Sequence, residues 1–169
     1  TTAAEQHRST AGASAVNRLI YQIVQDAVAH LPAERGMRIV EIGAGTGGTT
    51  AGLLPLLAPD RTEYLFTDIG PTFLHQARER FADYSFVRYQ PLDIERSPVL
   101  QGFAPQQADL VIAANVLHAT RNLEETLTHV RQLLQPGGQL LLLEATERRR
   151  WVDLTFGLTD GWWRYADER

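Results

Sequence analysis

The glycine-rich run Gly43-Ala44-Gly45-Thr46-Gly47-Gly48 and the acids around it are the residues of this chain best suited to chemistry. Glu41 ends a short apolar run two positions before Gly43, and Asp68 ends a second run, Tyr64–Asp68. Glycines let a backbone approach a ligand closely, and an acid closing the next strand takes ribose hydroxyls, so this pattern grips a nucleotide-type cofactor. Gly43, Gly45 and Gly48 also fit the dinucleotide fingerprint, with Asp68 placed 20 residues after Gly48, where a nicotinamide enzyme carries its ribose acid. Glu41 turns the reading away from that: a carboxylate there repels a pyrophosphate and suits a cationic ligand. The chain also shows no separate substrate domain of the kind dehydrogenases use. Asp93 follows the third apolar run and could accept a hydrogen bond from an adenine amino group. On local sequence alone it reads equally as a carboxylate capping a loop turn.

These residues need a scaffold that collects them at one edge. Apolar runs at Met37–Ile42, Tyr64–Thr67, Ser85–Tyr89, Ala108–Ala114 and Gln139–Leu143 predict strands, mostly continuous in character, as strands buried on both faces are. Helical spacing predicts helices over Thr46–Leu57, Pro71–Ala82 and Leu123–Leu134, the last capped by Asn122 and ended by Pro136-Gly137-Gly138. An earlier helix is expected from Ser14 to Pro32, with Tyr21 fitting its buried face less well than Ile20 or Val24. Residues 1–13 read as a flexible segment and 14–169 as a single domain. Strand–helix alternation with short connections predicts an α/β fold, a Rossmann-like, doubly wound, mostly parallel sheet flanked by helices. The stretch Gln90–Gln107, with three prolines, is expected to be irregular.

Bulk properties narrow the function. A net charge of −4 and a pI near 5.7 argue against nucleic acid as a partner. No run approaches the roughly 18 apolar residues of a membrane span. The polar first residues do not resemble a signal peptide, and a cytoplasmic location is the default expectation. The chain has no cysteine, hence no disulfide and no thiolate metal site.

The segments EIGAGTGGTT, YLFTDI, LDIE, DLVIAANVLHAT and LLQPGGQLLLLE, taken in order, closely resemble class I S-adenosylmethionine-dependent methyltransferases. More narrowly the chain resembles the methyltransferase domains embedded in polyketide synthases, a likeness that extends to FGLTDGWW and covers about Met37 to Tyr165. The resemblance implies that Glu41, Gly43, Ala44, Gly45 and Gly47 surround the methionine part of S-adenosylmethionine. It places Asp68 on the ribose, Ile69 beside the adenine, Asp93 and Ile94 in the adenine pocket, and the Asn115 backbone on the methionine amino group. The product is then S-adenosylhomocysteine. The implied partners are an acyl carrier protein bearing a phosphopantetheine-linked intermediate and neighbouring synthase domains.

His118, just past the fourth strand, and Glu144, ending the fifth, form the expected catalytic pair. Neighbouring strands lie about 5 Å apart, so both side chains would emerge at the carboxyl edge. A carboxylate on one imidazole nitrogen fixes the tautomer and makes the other nitrogen the base. The resemblance implies the same roles. The bland readings are a loop histidine with local bonds and a glutamate capping the next helix. His7, His30, His75 and His129 show no partner in the pattern, and no metal-ligand set is evident, so a metal-free reaction is expected. Arg148-Arg149-Arg150 reads as a solvated loop or a spot for the carrier's phosphate, and Trp151, Phe156, Trp162 and Trp163 as cover for a sheet edge or lining of an acyl pocket. About 25 residues follow Glu144, which predicts a core without a full lid or a terminal strand hairpin. The expected acceptor is a β-ketoacyl or β-hydroxyacyl thioester, with carbon favoured over oxygen. A free-standing small-molecule O- or N-methyltransferase and an inactive structural pseudo-methyltransferase are the alternatives.

Overall fold

The computed structural model describes residues 18–32 and 35–144. The expected flexible tail, Ser14, the arginine run and the four C-terminal aromatics lie outside the described residues. The first described element is a helix, α1, over residues 18–29. It is followed by β1 (Met37–Ile42), α2 (Gly48–Leu53), β2 (Thr62–Asp68), α3 (Pro71–Arg80), β3 (Val87–Pro91), β4 (Ala108–Ala114), α4 (Leu123–Leu133) and β5 (Leu134–Leu143). All strand pairs are parallel, in the order β3-β2-β1-β4-β5. The chain winds outward from β1 to β3, returns to the other side of β1 as β4, and continues to β5. The reversal between β1 and β4 opens a crevice at their carboxyl ends, where ligands bind in sheets of this kind.

Both faces of the sheet are covered. Ile39, Tyr64, Phe66 and Ile112 pack on one side with Ile20 and Val24 of α1, Leu53 of α2 and Leu74 and Phe81 from α3 and its end. Val40, Ile42, Val111 and Ala113 pack on the other with Val130 and Leu133 of α4 and Phe103. Successive side chains of a strand alternate faces, so Glu41 shares the α1–α2 face with Ile39. The two-sided burial accounts for the continuous apolar runs.

Several boundaries moved for identifiable reasons. The predicted helix over Thr46–Leu57 yields at Leu53 to a 3-10 turn, Leu54–Leu56, whose Pro55 lacks the N–H an α-helix needs. β2 and β3 run to Asp68 and Pro91, past the predicted Thr67 and Tyr89, because backbone pairing carries on to the pair Asp68–Pro91. α4 stops at Leu133, before the Pro136-Gly137-Gly138 expected to end it. Those three residues lie instead inside β5, where the pairing with β4 slips between Ala108 and Leu110. Asn122 caps α4 as predicted, its side chain accepting from the Glu125 amide at 3.0 Å. No helix among the described residues is long and apolar enough to cross a membrane.

Candidate active site

The turn between β1 and α2 is a left-handed backbone: Gly43, Gly45 and Gly47 have φ of 59°, 55° and 74°. Such angles are costly for any residue with a Cβ. Gly48, which the dinucleotide fingerprint would require, is an ordinary first residue of α2. A Cβ on Gly43 would also lie 2.2 Å from Cγ2 of Val116, so the loop after β4 closes over the glycine turn. The Ala44 amide donates to the Thr67 carbonyl at 2.9 Å, tying the turn to β2.

Asp68 is the second tie. One carboxylate oxygen accepts from the Gly45 amide at 2.9 Å and the other from the Gly70 amide at 2.7 Å. The acid predicted to meet ribose therefore also splices the glycine turn to the loop after β2. Ile69, next to it, is 68% exposed, an apolar side chain standing in solvent at the carboxyl edge.

Glu41 is 2% exposed and lies in the core beneath the turn. Its Oε2 accepts from the Thr50 hydroxyl at 2.5 Å and the Tyr64 hydroxyl at 2.6 Å. Burial pushes its carboxyl up to about 7; the two hydroxyl bonds pull it down, and the charge of Asp68 pushes it further up. The same burial, with Glu41 beside it, raises the Tyr64 phenol well above its usual range. Tyr21 of α1 also belongs to this cluster. It packs against the core and occupies the space over Gly52, and its phenol is raised by burial and by Glu41. Tyr21 covers α2 rather than the sheet, which is why its spacing fits the sheet-facing stripe of α1 less well.

Asp93 lies after β3, half-buried, and Oδ1 accepts from the Glu95 amide at 3.0 Å. Ile94 follows it. Its side chain is 6% exposed among Leu92 and Phe103, and its carbonyl accepts from His129 at 2.8 Å. Asn115 adopts φ 54°, one of two described non-glycine residues with positive φ, while its amide donates to the Leu143 carbonyl at 2.7 Å. That conformation, which asparagine tolerates better than most residues, swings the chain out of β4 toward β5.

The swing delivers His118, within the 3-10 turn Leu117–Ala119, to Glu144 at the end of β5. His118 Nδ1 and Glu144 Oε2 are 2.6 Å apart, with side chains 36% and 16% exposed. Glu144 Oε1 accepts from the amides of Val116 and Leu117 at 2.9 and 2.7 Å. One carboxylate thus holds both the imidazole and the backbone that carries it. Glu144 caps the preceding turn; whether it also caps a following helix concerns residues outside the described ones.

Other histidines have partners that the sequence pattern did not show: His30 with the Asp26 carbonyl and His75 with Glu79 one turn away, and His129 with the Ile94 carbonyl across the fold. Thr50, Tyr64 and the amides of Val116 and Leu117 were also unforeseen. Only Thr50 left a trace in the sequence, as a hydroxyl in the first turn of the helix that follows the glycines.

A model of the methyltransferase domain family matches residues 40–140. The chain is 45% identical over 160 residues to the non-reducing polyketide synthase mapC of Penicillium roqueforti, covering 90% of this chain and 6% of that protein. The curated relatives are therefore far longer than this chain. Among solved structures, the CurJ carbon methyltransferase shares 57% identity at a TM-score of 0.88, over 89% of this chain and 40% of that one. The trans-methyltransferase CalH, solved in complex with SAH, shares 51% identity at a TM-score of 0.71, over 76% and 37%.

Proposed function

The chain belongs to the methyltransferase domain family, and from that premise we propose that it is the methyltransferase domain of a polyketide synthase, methylating a carrier-bound β-ketoacyl intermediate at carbon. Its cofactor is S-adenosylmethionine. The site suits that ligand. At Gly45 a Cβ would meet only the Gly43 carbonyl, at 4.0 Å, so the turn presents bare backbone there; Asp68 offers lone pairs at a ribose position, and Ile69 stands exposed where an adenine face needs an apolar neighbour. In this reading Gly43, Ala44, Gly45, Gly47 and the Asn115 backbone hold the methionine end, with Glu41 beneath the turn bracing it through Thr50 and Tyr64. Asp93 and the Ile94 amide read the adenine edge.

The observation that carries the reading is the 2.6 Å contact between His118 Nδ1 and Glu144 Oε2, one loop away from the glycine cradle. With Nδ1–H directed at the carboxylate, Nε2 is the proton-accepting nitrogen. It takes the proton from the carbon between the two carbonyls of the acyl thioester. Glu144 keeps the ring oriented and stabilises the imidazolium that forms. When bound, S-adenosylmethionine supplies a sulfonium methyl that the enolate carbon takes. Val116, packed over Gly43, fixes the spacing between the base and the cradle. The likeness to a carbon methyltransferase favours carbon over oxygen.

The test is intact-protein mass spectrometry of a carrier protein loaded with either a β-ketoacyl or a β-hydroxyacyl group. Each is incubated with the full-length protein and S-adenosylmethionine. Gain of one methyl group on the β-ketoacyl carrier alone is expected. A gain on the β-hydroxyacyl carrier alone would move the acceptor to oxygen, and methylation of the free thioester but neither carrier would remove the carrier from the reaction.

A further inference from the structure

The loop joining β3 to β4 contains a side chain that no motif marks. Gln101 closes the 3-10 turn Pro98–Gln101, and its carboxamide folds back on the start of the same loop. Oε1 accepts from the backbone amide of Asp93 at 2.9 Å, and Nε2 donates to the Asp93 carbonyl at 2.8 Å. Nε2 also donates to the carbonyl of Arg96 at 3.0 Å and sits 3.3 Å from that of Ser97. A carboxamide has one acceptor oxygen and two N–H donors. Gln101 commits all of them to the backbone of residues 93–97.

Taking both the N–H and the C=O of one residue is what a neighbouring strand does in a ladder. Asp93 lies past the end of β3, where no ladder reaches it, and Gln101 stands in for the missing strand. The turn that carries Gln101 is itself anchored, because Pro98 and Phe103 on either side of it are buried. The carboxylate of Asp93 spends Oδ1 on the Glu95 amide. Among the described residues no hydrogen bond reaches Oδ2. A donor-seeking oxygen on a backbone locked from two sides is a preorganised acceptor.

We propose that Gln101 is the positioning residue for adenine recognition, holding Asp93 so that its carboxylate meets the 6-amino group of the cofactor. This rests on the assignment of Asp93 to the adenine edge made above. Gln101 itself does not touch the ligand. Its effect is selective: it governs how well an amino group at position 6 is distinguished from its absence, and leaves the ribose and methionine contacts alone.

The test compares calorimetric affinity for S-adenosylhomocysteine with that for its purine-riboside counterpart, which lacks only the 6-amino group. The 169-residue chain and its Gln101→Leu, Gln101→Glu and Asp93→Ala variants are measured. The unaltered chain should favour the amino-bearing ligand by about ten- to a hundredfold, the worth of one charge-assisted hydrogen bond. Gln101→Leu should erase that preference while the purine-riboside affinity stays unchanged. Gln101→Glu keeps the acceptor for the Asp93 amide but sets an oxygen against three carbonyls, so it too should erase the preference, and it decides the matter if Gln101→Leu does not fold. An equal weakening of both ligands would mark Gln101 as a loop brace and overturn the proposal. A retained preference in the Gln101 variants alongside its loss in Asp93→Ala overturns the positioning role alone. A retained preference in Asp93→Ala overturns the adenine reading and this proposal with it.

Discussion

At position 41 a carboxyl group is shut away from water with two hydroxyls on one oxygen, and this gives the fold a pH signature. Its folded value of about 7 lies above the ordinary value of 4.5, so between those limits the folded chain keeps a proton that the unfolded chain has released. Stability from this group is therefore present below pH 4.5 and is lost as pH rises through 7, by on the order of 3 kcal/mol. Glu41→Gln has no such proton to lose. Its melting temperature relative to the parent should climb from about pH 5 to about pH 7 and level off above that, and a difference independent of pH would contradict the burial argument. The sequence marked Glu41 as an acid before a glycine turn, and its parity with Ile39 set the face it occupies. It could not show that Thr50 from α2 and Tyr64 from β2 converge on it, since that depends on register between separate elements. His118 belongs to the same scale. His118→Ala should lower turnover by about 10²–10⁴ with cofactor affinity nearly intact, as single-turnover rates and calorimetry would record.

The elements around the site act through their ends. The turn after β4 has no sheet or α-helix of its own to stabilise it, and Glu144 from the end of β5 supplies two of its acceptor contacts. Glu144→Ala removes both and should lower stability by about 1–3 kcal/mol in denaturant titration. Glu144→Gln separates holding from chemistry. Its carbonyl still accepts from the Val116 and Leu117 amides, which turns its NH2 group toward His118 Nδ1. That nitrogen must then be the unprotonated one, and the proton moves to Nε2, where the base is needed. The variant should melt close to the parent yet lose turnover by about 10²–10⁴. Normal turnover in Glu144→Gln would mean that the imidazole tautomer does not matter. At this scale the sequence was legible where local chemistry decides: the glycine turn, the Asn122 cap and five strands in their places. It was less legible where long-range pairing decides, as in β5, whose pairing to β4 takes in the proline and glycines that local rules read as a helix stop.

Across the whole molecule the site is a seam between two halves of the sheet, one wound from β1 to β3 and the other through β4 and β5. Asp68 joins the glycine turn to the loop after β2, so, with the ribose contact proposed above, its loss is both a ligand and a fold defect. Asp68→Ala should lower the melting temperature without ligand and also forfeit stabilisation by S-adenosylhomocysteine. For the parent that stabilisation is about 2.7 kcal/mol at a ligand concentration of 100 times Kd. Thermal melts across a ligand series would separate the two losses. Gly43 and Val116 meet across the seam, each from a different half, with no room between them for a further carbon. Substitution at either position is thus conditional on the other: a smaller residue at 116 opens a void that a Cβ at 43 fills only against its own backbone preference. The two positions form a lock with one glycine key, and over generations of sequence change they are expected to be retained or lost as a pair.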